Sequence, residues 1–99
     1  MKNPFEMFGY EVGSGWKPIA EEAVAKLKAL GAEIFQVKEK FGGLRIYLNG
    51  YTYEMDKIIE EAAKVCSKTC EVCGEPGEMD RDRYWIQVLC EKCKEGKKK

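Results

Sequence analysis

Four cysteines have the type and spacing of a metal site. Cys70 and Cys73 form one CxxC pair, and Cys90 and Cys93 form a second after sixteen intervening residues. Two thiolates two residues apart can both point at one ion about 2.3 Å away when the chain turns tightly between them. Four sulfur ligands leave zinc no open position, so the spacing predicts structural Zn²⁺ rather than a catalytic ion. The alternative is two disulfides in a secreted protein.

The disulfide alternative is disfavoured by the odd cysteine count and by the N-terminal residues. Five cysteines cannot all pair within one chain, and residues 1–6 contain no apolar stretch of the kind that a secretory signal needs. We therefore expect a cytoplasmic protein without a membrane partner. The fifth cysteine, Cys66, lies on the apolar side of a predicted helix, which favours a buried inert thiol over a reactive nucleophile.

The charged and titratable residues argue against an enzyme. The chain has no histidine, which removes the commonest general base and the usual Ser–His and Cys–His nucleophile pairs. Seventeen basic residues balance seventeen acidic ones, so the net charge does not require a nucleic-acid or membrane partner. We expect a non-enzymatic binding protein whose electrostatic function comes from a local arrangement of charges.

One such arrangement lies on a predicted β-hairpin. Residues 33–49 alternate apolar and polar side chains around two glycines, a pattern typical of a hairpin. With the two glycines as the loop, Lys40 faces Arg45 and Lys38 faces Tyr47, and cross-strand partners share a face. Arginine, lysine and a phenol suit a phosphate, and glycines allow close approach of the backbone. The predicted ligand-binding residues are Gln36, Lys38, Lys40, Gly42, Gly43, Arg45, Tyr47 and Trp16.

Two other interpretations of this face stay open. One is a solvated face whose lysines prevent aggregation, and the other is a face neutralised by acids of the same chain, either Glu21, Glu22 or an acid of the zinc module. The opposite face is predicted to be apolar, with Glu39 as a misfit; its apolar members are Phe35, Val37, Phe41, Leu44, Ile46 and Leu48. A second candidate anion site is the glycine-rich stretch 13–17, which precedes a predicted helix.

The predicted elements form a small α+β protein. Helical periodicity covers residues 18–30 and 52–69, and the alternation of Phe8, Tyr10 and Val12 predicts a third strand near residues 6–12. The zinc module is predicted to contain a strand at 84–89 and a helical turn at 90–94. We expect a βαββα-type domain with a two-to-three-stranded antiparallel sheet over residues 1–69. A zinc ribbon or treble clef follows at 70–96 and packs on it, and 97–99 is a basic tail.

Several segments together resemble a family of small proteins from bacteriophages and prophage-bearing bacteria. The segments are Gly13-x-Gly15-Trp16, the hairpin motif from Gln36 to Arg45, residues 69–77 with the first CxxC pair, and Trp85-x3-Leu89-Cys90. Some members replace the last cysteine with histidine, whereas this chain keeps Cys93. The resemblance implies a phage product that acts in the bacterial cytoplasm, and it marks the hairpin as the family signature.

Three functional hypotheses follow. The first is a zinc-stabilised binder of an anionic small molecule, a nucleotide signal of host immunity that the phage protein sequesters. The second is a nucleic-acid-binding or transcription-linked zinc module, suggested by Arg81, Arg83, Trp85 and the basic tail. The third is an inhibitor that docks on a host enzyme through exposed aromatic residues. A homodimer joined at the sheet edge is also open, because a lone hairpin is only marginally stable.

Overall fold

The fold is described by a computed structural model covering residues 3–40, 42–80 and 86–97. It is a small mixed α+β protein with a three-stranded and a two-stranded sheet, which confirms the predicted class. In chain order the elements are α1 (Pro4–Phe8), β1 (Tyr10–Glu11), α2 (Lys17–Ala29), β2 (Ile34–Lys40), β3 (Gly43–Leu48), α3 (Tyr53–Cys66), β4 (Glu78–Asp80), β5 (Gln87–Leu89) and α4 (Glu91–Lys97).

The N-terminal segment differs from the predicted strand at residues 6–12. It begins as helix α1, because the Asn3 side chain accepts a hydrogen bond from the backbone N–H of Glu6 and proline occupies the first turn. Only Tyr10 and Glu11 form a strand, and this strand pairs with β2 in parallel. The sheet order is β1-β2-β3, so the prediction of a purely antiparallel sheet is wrong.

The β2–β3 hairpin forms as predicted, but with a different register. Gly43 belongs to β3 and pairs with Lys40, so it is not a loop residue. Arg45 consequently pairs with Lys38 instead of Lys40. An irregularity between residues 34 and 36 turns Phe35 outwards, where 46% of it is exposed, and Ile34 takes the core position that Phe35 was expected to fill. Phe41, also predicted for the apolar face, lies outside the described residues.

The core lies between one face of the larger sheet and the helices α2 and α3. Each helix supplies one apolar stripe, as the helical periodicity predicted. Thr52 caps α3 by accepting a hydrogen bond from the Met55 N–H, and α3 runs almost directly into Cys70. The buried apolar residues of this core are Trp16, Ala20, Ala23, Val24, Leu27, Ile34, Val37, Leu44, Ile46, Leu48, Met55, Ala62, Cys66 and Val88.

The C-terminal segment forms a separate small hairpin and a final helix. β4 pairs with β5 in antiparallel register, with Met79 opposite Val88. Helix α4 confirms the helical turn predicted after Cys90. Of the strand predicted at 84–89, β5 covers Gln87–Leu89 and Ile86 is not part of it, while residues 84 and 85 lie outside the described residues. Across the described ranges, none of the helices has the length and apolar character that a bilayer crossing requires.

Candidate metal centre and hairpin surface

The four predicted metal ligands come together in space. Cys70 and Cys73 lie in the turn after α3, Cys90 immediately precedes α4, and Cys93 lies in its first turn. Their sulfur atoms all lie within 4.8 Å of one another, and the Sγ atoms of Cys73 and Cys90 are 3.5 Å apart. Tetrahedral coordination with metal–sulfur bonds of about 2.3 Å requires sulfur–sulfur separations of about 3.8 Å. The cluster can therefore hold one metal ion with little rearrangement.

Each cysteine pair is shaped by a tight local turn. The Gly74 N–H donates to the Cys70 carbonyl oxygen at 3.0 Å, and the Lys94 N–H donates to the Cys90 carbonyl oxygen at 2.9 Å. Gly74 has a φ of 86°, a conformation that glycine adopts without strain. These turns bring the two thiols of each pair to the same side of the chain.

The clustered thiols compete with one another for protons. Burial raises the pKa of the Cys70 thiol, but N–H groups of Cys73, Cys90 and Val72 point at the sulfur and lower the pKa to about 6. Hydrogen bonds with the neighbouring thiols of Cys90 and Cys70 raise the pKa of Cys93 to about 12. A bound divalent cation deprotonates coordinating thiols outright and so removes this competition for protons.

The glycine-rich stretch predicted as a second anion site instead supports the first cysteine turn. The Gly15 N–H donates to the Glu71 carbonyl oxygen at 2.9 Å, and the Ser14 hydroxyl donates to the Val72 carbonyl oxygen at 2.8 Å. A Cβ on Gly13 would overlap the Glu71 carbonyl oxygen, and one on Gly15 would overlap that of Cys70. The glycines are therefore needed for backbone-to-backbone packing, which leaves no space for an anion.

Trp16 lies buried where the start of α2 meets the cysteine module, and it is not a ligand-binding residue. Its side chain is 0% exposed, and the indole Nε1–H donates to the Thr69 carbonyl oxygen at 2.7 Å. A ring buried at the junction of α2 with the cysteine module cannot reach a ligand on the hairpin surface, so its predicted ligand role is wrong. Cys66 is also fully buried, and desolvation raises the pKa of its thiol to about 12, as expected for an inert structural cysteine.

Sequence analysis missed the structural role of Glu71, which lies between the two cysteines of the first pair. Its side chain is only 7% exposed. The Val88 N–H donates to Glu71 Oε1 at 3.1 Å, and the Glu71 N–H donates back to the Val88 carbonyl oxygen at 2.9 Å. This residue connects the first cysteine turn to β5, the strand that leads to Cys90. Glutamate side chains are ordinarily exposed, so the local sequence pattern did not indicate that Glu71 is buried and hydrogen-bonded to β5.

The predicted basic face of the hairpin is preserved in spite of the changed register. Lys38 pairs directly with Arg45, and Gln36 pairs with Tyr47, all on the face opposite the core. The Lys38 Nζ lies 5.9 Å from the centre of the Tyr47 ring, within the range of a cation–π contact. Among the described residues, Lys26 forms an ion pair with Glu22. Neither Lys38 nor Arg45 forms an ion pair with another described residue. Lys40 interacts elsewhere in the chain.

One acidic residue joins this face, and sequence analysis missed it. Glu11 in β1 pairs in register with Lys38, and its Oε1 accepts a hydrogen bond from Gln36 Nε2 at 3.2 Å. Alternation predicted a strand near this position, but the periodicity did not show that β1 pairs in parallel with β2, and that pairing places Glu11 beside Lys38. Gln36 is thus engaged by Glu11. Glu21 and Glu22, the acids considered for covering the face, lie on α2.

The hairpin tip is covered by the C-terminal hairpin instead of being open to a ligand. Gly42 is buried, and a Cβ there would lie 2.9 Å from Ile86 Cγ2 and 3.5 Å from Met79 Cε. Its N–H donates to Glu39 Oε1 at 3.0 Å, which explains the carboxylate predicted as a misfit on the apolar face. Gly42 is therefore removed from the predicted ligand-binding residues, and Gly43 is a half-buried strand residue.

The covered tip predicts a specific cost for alanine at position 42. Gly42 has a φ of 75°, so Gly42→Ala combines backbone strain with the close contact to Ile86. We expect it to lower the free energy of unfolding by about 2–3 kcal/mol in urea denaturation. Gly50→Ala is the control, because Gly50 has a φ of 97° with open space at its Cβ position. It should cost only about 1–2 kcal/mol, and equal costs would contradict the packing contact.

Three residues behind the nucleic-acid hypothesis, Arg81, Arg83 and Trp85, lie outside the described residues. Comparison with family models, curated proteins and solved structures gave no match to this chain.

Proposed function

We propose that the four-cysteine cluster binds structural Zn²⁺ and that the C-terminal segment is a zinc module of the ribbon or treble-clef type. The support is the ligand set: Cys70, Cys73, Cys90 and Cys93 supply four soft sulfur donors at distances that suit tetrahedral coordination. Four protein ligands leave no position for substrate, so the ion stabilises the fold and has no catalytic role.

We further propose that the protein is a non-enzymatic binder of a phosphate-bearing ligand. The observation that carries this proposal is the direct pairing of Lys38 with Arg45 on the outer face of the sheet, without an ion pair for either among the described residues. Like charges directly opposite each other cost about 0.2–1 kcal/mol, and a bridging anion would relieve that repulsion. Arginine supplies a planar donor fork, lysine a point charge, and Tyr47 an adjacent phenol.

The biological setting of this proposal rests on the resemblance of the cysteine and hairpin motifs to small phage and prophage proteins. In that setting the phosphate-bearing ligand is a nucleotide signal of bacterial immunity, sequestered in the host cytoplasm. A binder without catalytic residues suits sequestration, because sequestration requires only affinity and abundance. Lys38, Arg45 and Tyr47 would form the ligand site, with Lys40 and Gly43 at its border.

Isothermal titration calorimetry of zinc-loaded protein with a panel of cyclic and linear nucleotides tests the proposal. We expect binding to at least one nucleotide, weakened about 10–100-fold by Arg45→Ala because charge-assisted hydrogen bonds are lost. Lys64→Ala removes an exposed lysine from α3 and is the matched control; it should leave the affinity unchanged. The absence of heat with every nucleotide would contradict the proposal. Binding to DNA or RNA that weakens steeply with salt would favour the nucleic-acid alternative.

A further inference from the structure

The outer face of the sheet carries a row of three charged residues, one from each strand. Glu11 in β1 pairs with Lys38 in β2, and Lys38 pairs with Arg45 in β3. Neighbouring strands lie about 4.8 Å apart, and side chains at paired positions project from the same face. The row therefore places two cations side by side and one carboxylate one strand further along.

Glu11 does not neutralise the neighbouring lysine. Its carboxylate accepts a hydrogen bond from Gln36 Nε2 at 3.2 Å, while the Lys38 ammonium lies over the Tyr47 ring. No ion pair between Glu11 and Lys38 occurs within the described ranges. Gln36 occupies only one of the acceptor positions of the carboxylate, which has about four lone-pair sites. The row thus offers hydrogen-bond donors at one end and an open acceptor at the other.

This arrangement narrows the class of ligand beyond a simple phosphate. A carboxylate repels phosphate oxygens but accepts hydrogen bonds from hydroxyl groups, and paired hydroxyls of a ribose suit it best. The midpoint between Lys38 and Arg45 lies about one and a half strand spacings, or about 7 Å, from Glu11, a span comparable to that between a phosphate and the ring hydroxyls of a ribose phosphate. We propose, building on the phosphate-binding function above, that Glu11 binds the sugar hydroxyls of a ribose phosphate whose phosphate lies between Lys38 and Arg45.

The test compares ligands that differ only in those hydroxyls. Zinc-loaded protein is titrated calorimetrically with ADP, 2′,3′-dideoxy-ADP and inorganic pyrophosphate. We expect ADP to bind about tenfold more tightly than the dideoxy analogue, because hydrogen bonds to a charged acceptor are lost in the analogue. Glu11→Ala should abolish this difference without weakening pyrophosphate binding, since it removes only an acceptor and a negative charge. Glu60→Ala, which removes an exposed glutamate from α3, should preserve the difference.

The outcomes separate this inference from the proposal on which it rests. Equal affinity for ADP and the dideoxy analogue in the unaltered protein overturns the role of Glu11, and that comparison does not depend on whether the variant folds. Pyrophosphate binding that depends on Arg45 would then still support phosphate binding. If pyrophosphate and both nucleotides fail to bind, the proposed function itself is contradicted. A titration with ribose 5-phosphate shows whether the ligand is a sugar phosphate or a nucleotide, since both carry a phosphate and ribose hydroxyls. An affinity equal to that of ADP indicates a sugar phosphate, and a weaker affinity indicates a nucleotide.

Discussion

Replacing Cys70 with serine is expected to abolish metal binding and to unfold the protein at room temperature. Structural zinc sites contribute about 10–16 kcal/mol of apparent binding free energy, whereas a domain of this size has a total stability of about 5–15 kcal/mol. Loss of one sulfur ligand therefore removes a free energy comparable to the whole stability. The metal content of purified protein and its circular dichroism spectrum measure the two effects, and a chelator should reproduce the unfolding in the unaltered chain.

The unfolding should reach beyond the cysteine module because the module shares its backbone contacts with the α2 region. Gly15 and Ser14 donate hydrogen bonds to the first cysteine turn, and Trp16 donates one to Thr69. The three acceptors are the carbonyl oxygens of Glu71, Val72 and Thr69. Release of the metal should disorder this segment and so weaken all three hydrogen bonds together. We expect the Gly15 backbone amide and the Trp16 indole N–H to lose hydrogen-exchange protection together with the backbone amides of the cysteine turns.

Cys66→Ala is the matched control for this prediction. Cys66 is a buried cysteine near the same junction, but it lies outside the four-sulfur cluster. The variant should keep one metal ion per chain and lose only about 1–2 kcal/mol of unfolding free energy, because a small apolar side chain is truncated. A Cys70→Ser variant that stays folded with the thermal stability of the unaltered protein would contradict the assignment of a stabilising metal.

Trp16→Ala is expected to lower the free energy of unfolding by about 3–5 kcal/mol, the usual range for removal of a large buried aromatic ring. Among the residues that the structure describes, Trp16 is the largest fully buried side chain, and it lies where α2 meets the cysteine module. Trp16→Phe should cost less, because most of the apolar contact remains. It still leaves the partly buried Thr69 carbonyl oxygen without its indole donor, which costs about 1 kcal/mol. Chemical denaturation of the metal-loaded protein measures both values.

Tyr53→Ala provides the aromatic control for Trp16. Tyr53 is 74% exposed at the start of α3, so its removal should change the free energy of unfolding by no more than about 0.5 kcal/mol. If Trp16→Ala and Tyr53→Ala had similar small effects, the tryptophan would not be part of the cooperative core. Nucleotide binding by folded Trp16→Phe should be unchanged, because the indole does not reach the hairpin surface.

The hairpin shows why a sequence pattern can predict a face correctly and its pairing incorrectly. The expected loop was Gly42 and Gly43, whereas the strands observed leave residues 41 and 42 between Lys40 and Gly43. Moving a two-residue loop by one position shifts every cross-strand partner by two residues. Because side chains alternate with a period of two, a shift of two residues keeps each side chain on its face. Lys38 and Arg45 therefore remain together, although the predicted pair was Lys40 and Arg45.

The sequence by itself determined the features that depend on residues close together in the chain. The cysteine spacing predicted which four sulfur atoms come together, and periodicity identified α2, α3 and the two hairpin strands. Tertiary structure alone decided what fills the space around each segment. It placed the glycines of residues 13–15 against the first cysteine turn, buried Trp16 beside Thr69, and brought Glu11 next to Lys38. These contacts join residues more than twenty positions apart, and such partners are chosen by packing and hydrogen-bond satisfaction across the whole fold, which no local pattern encodes.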